Sequence, residues 1–334
     1  MKLRILGAIG ITLVLASTMV LGDSTPYTFV TVDIKVPDRS GSIVIPKDIN
    51  DDGVIVSSIS SRSWGLEAVI ANPTKKQTAP YNATPFNCAG VSFANAAAFS
   101  VNDKGDVTGY CVMEPNGSRT SGFILDRNGK RVLLDFPDAD HTLAFGISSG
   151  RQVVGQYYNP LQVGKSGLYR IHGFSWAGGK FRTIDFPLAD TYTTLWSVSK
   201  QGQIMGEYYR FDPATNATLE HNWFVYDNGQ FKLDFPPSLE WMGGPAVFLA
   251  DMNDDGQIIG MRYNGGPGWD GLFLYSDGTF SDIALPPEFA FADVRGMNNK
   301  GQFVGMYAKQ VGVDPYDQPI YEFHGYVATP ALRK

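Results

Sequence analysis

An apolar residue followed by a polar turn that closes on glycine recurs six times along this chain. A self-similar period of this kind constrains a fold more than any composition does. The copies are Ile49-Asn-Asp-Asp-Gly53, Val101-Asn-Asp-Lys-Gly105, Ile147-Ser-Ser-Gly150, Val198-Ser-Lys-Gln-Gly202, Met252-Asn-Asp-Asp-Gly256 and Met297-Asn-Asn-Lys-Gly301. Their glycines stand 52, 45, 52, 54 and 45 residues apart. A period of about 40 to 50 residues marks a propeller or a solenoid.

The turns are followed by β-rich runs such as Gln152-Val-Val-Gly155-Gln-Tyr157 and Gln302-Phe-Val-Gly305-Met-Tyr307. Their glycine lets neighbouring backbones approach closely. A third segment reads as strand from its aromatic and aliphatic content, as in His172-Gly-Phe-Ser175, His221-Asn-Trp-Phe224 and His324-Gly-Tyr-Val327, with Trp64-Gly-Leu-Glu67 as the most divergent copy. A fourth ends at proline, as in Leu133-Leu-Asp-Phe-Pro137 and Thr183-Ile-Asp-Phe-Pro187. Proline at the end of an outer strand forfeits no ladder hydrogen bond.

The sixth repeat stops after its third strand, at Thr329-Pro330, while Phe29-Val-Thr-Val-Asp-Ile-Lys-Val-Pro37 has the pattern of a fourth strand and stands before the first turn. The N-terminal strand is therefore expected to complete the last blade. Closure removes the exposed sheet edges that an open stack would leave. The expected fold is all-β, a six-bladed propeller of four-stranded antiparallel blades, occupying residues 23–334 as one domain.

These residues resemble the bacterial extracellular-repeat proteins called HAF-repeat proteins, whose units read roughly Gly-Ile-Asn-Asp-x-Gly-x-Ile-Val-Gly, then His-Ala/Gly-Phe, then a strand ending in Asp-x-Pro-Gly. The likeness is closest over residues 145–187 and weakest in the first repeat, which has Ser57 and Ser58 where others have glycine. The resemblance implies an exported propeller and no particular activity.

The chain ends bear on compartment. Lys2 and Arg4 precede an apolar stretch from Ile5 to Leu21, then Gly22, Asp23 and Ser24. This reads as a signal peptide over residues 1–22, with an uncleaved anchor as the rival. The mature form is then expected to be secreted, extracellular or periplasmic, off the membrane and monomeric. Cys88 and Cys111, the chain's two cysteines, are a pair that an oxidising compartment would join, or else two unrelated small apolar residues. With 27 Lys and Arg against 33 Asp and Glu, and no basic run, nucleic acid is not an expected partner.

Loop length separates the two faces of such a ring. The turns between first and second strands and between third and fourth are short. The connections at 113–121, 159–171, 209–220, 262–270 and 308–323, with 71–97 and others between blades, are long and project from one face, where ligands usually bind. That face gathers Trp64, Tyr169, Arg170, Trp241, Trp269 and Tyr316. Aromatic rings beside carboxylates suit sugars, because a pyranose face stacks on a ring while its hydroxyls seek acceptors. The alternative is that these rings cover the loops' own small cores. Trp196, Phe99, Phe145 and Arg295 hold matching places on the first strands, as packing between blades or as a ligand shelf.

Catalytic patterns are sparse. Asp48-Ile-Asn-Asp-Asp52-Gly53 and Asp251-Met-Asn-Asp-Asp255-Gly256 open like Ca²⁺ loops, but the closing position is Ile59 or Arg262 where a bidentate Glu is needed. A turn held by Asn and Asp side chains fits better, so no metal or other cofactor is expected. The strand histidines His172, His221 and His324 fall on different blades and read as local hydrogen bonders. His141, in a connection beside Asp138 and Asp140, reads first as a solvated loop histidine and otherwise as the first place to seek acid–base chemistry, with Glu240 and Asp270 as further loop carboxylates. The leading expectation is a binding module for a glycan, a cell-envelope component or a protein. The alternative is an extracellular hydrolase or lyase acting on a polysaccharide or small ester.

Overall fold

A computed structural model describes residues 21–32, 34, 44–61, 65–72, 82–86, 88, 95–114, 117–159, 170–188, 191–212, 214–215, 217–233, 246–263 and 271–331. The described chain is a β-propeller. Two strands precede the first repeat, β1 (Leu21–Thr25) and β2 (Tyr27–Val32). The first repeat supplies β3 (Ile45–Ile49), β4 (Ile55–Ser61), β5 (Gly65–Asn72) and β6 (Asn82–Phe86). The second supplies β7 (Asn95–Val101), β8 (Val107–Val112), β9 (Thr120–Leu125) and β10 (Arg131–Leu134). The third supplies β11 (His141–Ile147), β12 (Val153–Tyr158), β13 (His172–Ala177) and β14 (Lys180–Thr183). The fourth supplies β15 (Thr191–Val198), β16 (Ile204–Phe211), β17 (Thr218–Asp227) and β18 (Gln230–Lys232). The fifth supplies β19 (Ala246–Met252), β20 (Ile258–Tyr263), β21 (Gly271–Ser276) and β22 (Thr279–Ile283). The last has β23 (Phe291–Ala292), β24 (Gly296–Met297), β25 (Phe303–Val313) and β26 (Pro319–Pro330).

Within a repeat, sequence neighbours pair antiparallel, as short turns dictate. The hydrogen-bonded sheets nevertheless number five among the described residues, where six separate blades were expected. The second and third repeats share one sheet through the bridge between His141 and Thr120. Among the described residues, no ladder joins the last repeat to the first. β2 pairs antiparallel with β26 from Tyr27 opposite Pro330 to Val32 opposite Gly325. The strand that precedes the repeats thus lies on the last one. β1 runs parallel beside β22 and contains Gly22, the expected cleavage position, while residues 1–20 lie outside the described residues.

Two connections differ from expectation. The stretch 71–97 contains β6, and 308–323 is mostly the extended hairpin of β25 and β26. In the third repeat the left-handed turn position belongs to Arg151, with φ 62°, and not to Gly150. An ion pair with the buried Asp106, 3.2 Å away, accompanies that backbone.

Every first strand carries a β-bulge. Pairing skips one residue between Pro46 and Asp48, between Ala98 and Ser100, between Ala144 and Gly146, between Leu195 and Ser197, and between Leu249 and Asp251. In the last repeat, the four steps from Ala292 to Gly296 face three steps on β25. A bulge bends its strand and re-aims a side chain. The bulge also explains the glycine of the second strands. A Cβ on Gly109 or Gly155 would lie 1.9 Å from the carbonyl oxygen of Ala97 or Leu143, two residues before the bulged one. Ser57 stands at this place in the first repeat, and its hydroxyl donates to the matching carbonyl, that of Ile45.

Apolar clusters straddle neighbouring repeats. One unites Ile49, Ile55 and Val69 of the first repeat with Val304 and Val327 of the last and Val32 of β2. Turn side chains tie the repeats further. Asn50 Oδ1 accepts the amides of Asp52 and Val54, while its Nδ2 donates to the Asn102 carbonyl of the next repeat at 3.0 Å. Asn102 reaches Ser148 in the same way, and Asn298 reaches Asn50. The turn oxygens read as the opening of a Ca²⁺ loop are thus engaged by backbone amides, and among the described residues no three His, Cys, Asp or Glu side chains are grouped to share a metal. Cys88 and Cys111 are joined by a disulfide.

Candidate functional site

The bulged position is the same in every repeat, three residues before the Asn or Ser that opens the turn. It is occupied by Lys47, Phe99, Phe145, Trp196, Ala250 and Arg295. All six line one cavity of about 330 Å³, so every repeat contributes a side chain to it.

Three consecutive repeats make one side aromatic. Phe99 and Phe145 have ring centroids 4.9 Å apart, and Phe145 stacks on Trp196 at 4.5 Å. Trp196 is held from behind, its indole N–H donating to Glu207 Oε1 at 2.9 Å. The other oxygen of Glu207 meets His221 Nε2 at 2.8 Å, and both of these side chains are buried. Indole orientation is thereby set by a buried hydrogen-bonded pair.

The opposite side is charged. Arg295 grips Asp293 Oδ2 through Nε at 3.0 Å and Nη2 at 2.5 Å, and Asp293 Oδ1 accepts the Met306 amide at 2.8 Å. Lys47 Nζ lies 5.8 Å from the centroid of Phe99, at the end of the aromatic run. No hydrogen bond or ion pair joins its ammonium to any described residue. Burial, aided by the Arg295 charge and opposed by Asp293, brings its pKa down to about 8, so it is still mainly protonated at neutral pH.

One residue further along each strand lies the next layer: Asp48, Ser100, Gly146, Ser197, Asp251 and Gly296. Asp48 accepts the amides of Ile49 at 2.7 Å and Val101 at 2.8 Å. Asp251 accepts the Ser197 hydroxyl at 2.6 Å and the amides of Met252 and Met297, each at 2.8 Å. Each carboxyl therefore clips its own repeat to the next. Loss of hydration raises both, Asp251 to about 6, and the charge of Asp251 pushes Asp48 further above the carboxylate range. Gly296 lies beside Asp48, and a Cβ there would sit 2.5 Å from Asp48 Oδ1. Beyond this layer the turns converge. Asp103 accepts from the Asp51 amide at 3.0 Å and from Asn299 Nδ2 at 2.8 Å, around a space of only about 50 Å³.

Of the residues singled out from sequence, Phe99, Phe145, Trp196 and Arg295 meet in this cavity. Arg170 is exposed away from it, and Tyr316 stands at the tip of the β25–β26 hairpin with 83% of its surface exposed. Trp64, Tyr169, Trp241, Trp269, Glu240 and Asp270 lie outside the described residues. His141 is not a solvated loop residue. It opens β11, is buried, stacks on Tyr158 at 4.4 Å and lies 3.2 Å from Thr120 Oγ1. Burial lowers its pKa, with Asp140 opposing. Asp138 and Asp140 sit on an exposed turn beside it, away from the cavity. The strand histidines do serve local bonds, His172 to Asp185 at 2.6 Å and His221 to Glu207. Sequence reasoning passed over Lys47, Asp48 and Asp251 as site residues. Counting three residues back from Asn50, as for Trp196 from Ser199, would have found Lys47.

No family model and no curated protein matches the chain. Solved structures do resemble it. The β-propeller domain of the Trilobed protease from Pyrococcus furiosus, described as having an open velcro topology, aligns over 85% of this chain and 95% of its own, at 11% identity and a TM-score of 0.44. AofleA from Arthrobotrys oligospora aligns over 94% and 95%, at 11% identity and a TM-score of 0.46. TolB from Acinetobacter baumannii aligns over 89% of this chain and 65% of its own, at 12% identity and a TM-score of 0.47.

Proposed function

We propose that this chain is an exported propeller of the HAF-repeat kind, six blades closed into a ring by β2, which binds one sugar unit of a glycan in the cavity between its first strands. The aromatic run of Phe99, Phe145 and Trp196 facing Arg295 and Lys47 across one cavity is the observation that carries the reading. A sugar offers an apolar ring face to the first group and hydroxyls to the second. At about 330 Å³ the cavity is at the small end of the range for ligand sites, which suits a single unit and not a long chain. The ring reading is supported by the hydrogen bonds from Asn298 to Asn50 and from the Asn299 amide to Asp51, which cross between the last repeat and the first.

An extracellular hydrolase or lyase is the second reading, and the two raised carboxyls, Asp48 and Asp251, favour it. Their oxygens are engaged by backbone amides, which ties them first to the framework. A polysaccharide and glycoside panel scored for both retention and product release separates the readings. Retention without products is expected. Trp196→Ala should lower retention at least about ten-fold, because it removes the stacking surface. Retention unchanged by that substitution would place the ligand elsewhere.

A further inference from the structure

The cavity contains a lysine ammonium that makes no hydrogen bond or ion pair with any described residue. An ammonium carries three donors and loses hydration on burial, so its partners are normally carboxylates, carbonyls or water. Arg295 is matched by Asp293, and Asp293 spends its second oxygen on the Met306 amide. The carboxyls of Asp48 and Asp251 are engaged by amides and the Ser197 hydroxyl. Lys47 faces the same space and feels the charges of Arg295 and Asp293 there, but it makes no hydrogen bond or ion pair with a described residue, and the Phe99 ring at 5.8 Å accepts no hydrogen bond from it.

Resting on the binding reading above, we infer that the sugar unit recognised is acidic, a hexuronate whose carboxylate is taken by Lys47 while its ring lies on the aromatic run. Two geometric features support this assignment. Lys47 and Phe99 occupy the same position of adjacent repeats, so an anion at the ammonium and a ring face on the aromatics belong to one ligand of sugar size. Arg295 uses Nε and Nη2 on Asp293, which leaves Nη1 to donate to the same carboxylate. The competing negative charge is limited. Asp293 is neutralised by Arg295, and the Asp48 carboxyl, held by the amides of Ile49 and Val101, has its pKa raised by burial and by the neighbouring Asp251 charge.

The test titrates the full chain with methyl glucuronide and methyl glucoside, which differ at one carbon, at neutral pH and at two NaCl concentrations. The uronide is expected to bind about ten-fold tighter or more, as a charge-assisted hydrogen bond requires, with a ratio that shrinks at high salt. Lys47→Met should bring the ratio towards one, and Lys47→Arg should keep most of it. Equal binding of the two glycosides by the wild type would overturn the inference and leave the binding reading standing. So would a preference that survives Lys47→Met. Binding of neither glycoside would count against both readings.

Discussion

The two sides of the cavity are made from one repeat position and have opposite chemistry. In the second, third and fourth repeats the bulge presents Phe99, Phe145 and Trp196, each packed on the next. In the fifth, sixth and first it presents Ala250, Arg295 and Lys47. The layer below follows the same division, with the small residues Ser100, Gly146 and Ser197 under the aromatics and the carboxyls of Asp48 and Asp251 flanking Gly296 under the charges. The difference separates what a repeat conserves from what it leaves open. Strand pairing and the bulge recur because every repeat needs them to place its backbone. The side chain at the bulge meets no ladder partner, so it is free to vary, and that is where recognition can be written.

The largest expected effect comes from breaking the charged side at its junction. Gly296→Ala would put a Cβ 2.6 Å from Asp48 Cα and 2.7 Å from the Lys47 carbonyl, and backbone on both counts cannot rotate away. A loss on the order of 3 kcal/mol is expected in thermal or urea unfolding. An unchanged midpoint would mean that the first and last repeats are not in close contact there.

A smaller effect should come from pH, and it should belong to the charged side alone. Asp251 has its folded-state pKa above the unfolded value, at about 6, and Asp48 is raised too. The folded state therefore holds protons that the unfolded chain has released. The stabilising contribution is complete below the unfolded value, near pH 4, and is lost as pH rises through about 6. Across that window these groups should contribute a fall on the order of 1–3 kcal/mol, and Asp251→Asn should flatten it. Equal slopes of melting temperature against pH in variant and wild type would remove the coupled pair from the account.

The smallest effect sharpens the aromatic side. Glu207→Gln keeps the volume but weakens the grip on the Trp196 indole and on His221. Stability should fall by about 1 kcal/mol and glycan retention by about five-fold. Loosening of the Trp196 indole should also appear as a shift in Trp fluorescence that is lost when Glu207→Gln is made together with Trp196→Phe, whereas a shift arising at Trp223 beside His221 would persist.

Much of the framework was legible in the chain itself. The turns and the strand glycines are local matters decided within one period, while the pairing of the N-terminal strand with the last repeat joins the two ends of the chain and was legible because the last repeat lacks a fourth strand of its own. The first repeat was the hardest to read, since Ser57 replaces the glycine and β6 falls within what looked like a long connection. That divergence is also why Lys47 went unnoticed although Trp196 and Arg295 were placed. His141 was misread because proximity in sequence to Asp138 and Asp140 resembled a solvated loop, whereas β9 lies against it from the preceding repeat. Asp48 and Asp251 looked like turn openers, and their coupling became visible only with Gly296 between them.

By itself, then, the sequence determined most of the propeller strands and their order within each repeat, because antiparallel pairing of adjacent segments is written in a period of apolar residues, turns and glycines. Tertiary structure alone decided which side chains share a space. Lys47 and Arg295 are 248 residues apart in the chain and face one cavity only because bulges in separate repeats turn inward together, a geometry carried by the assembled strands and by no single segment.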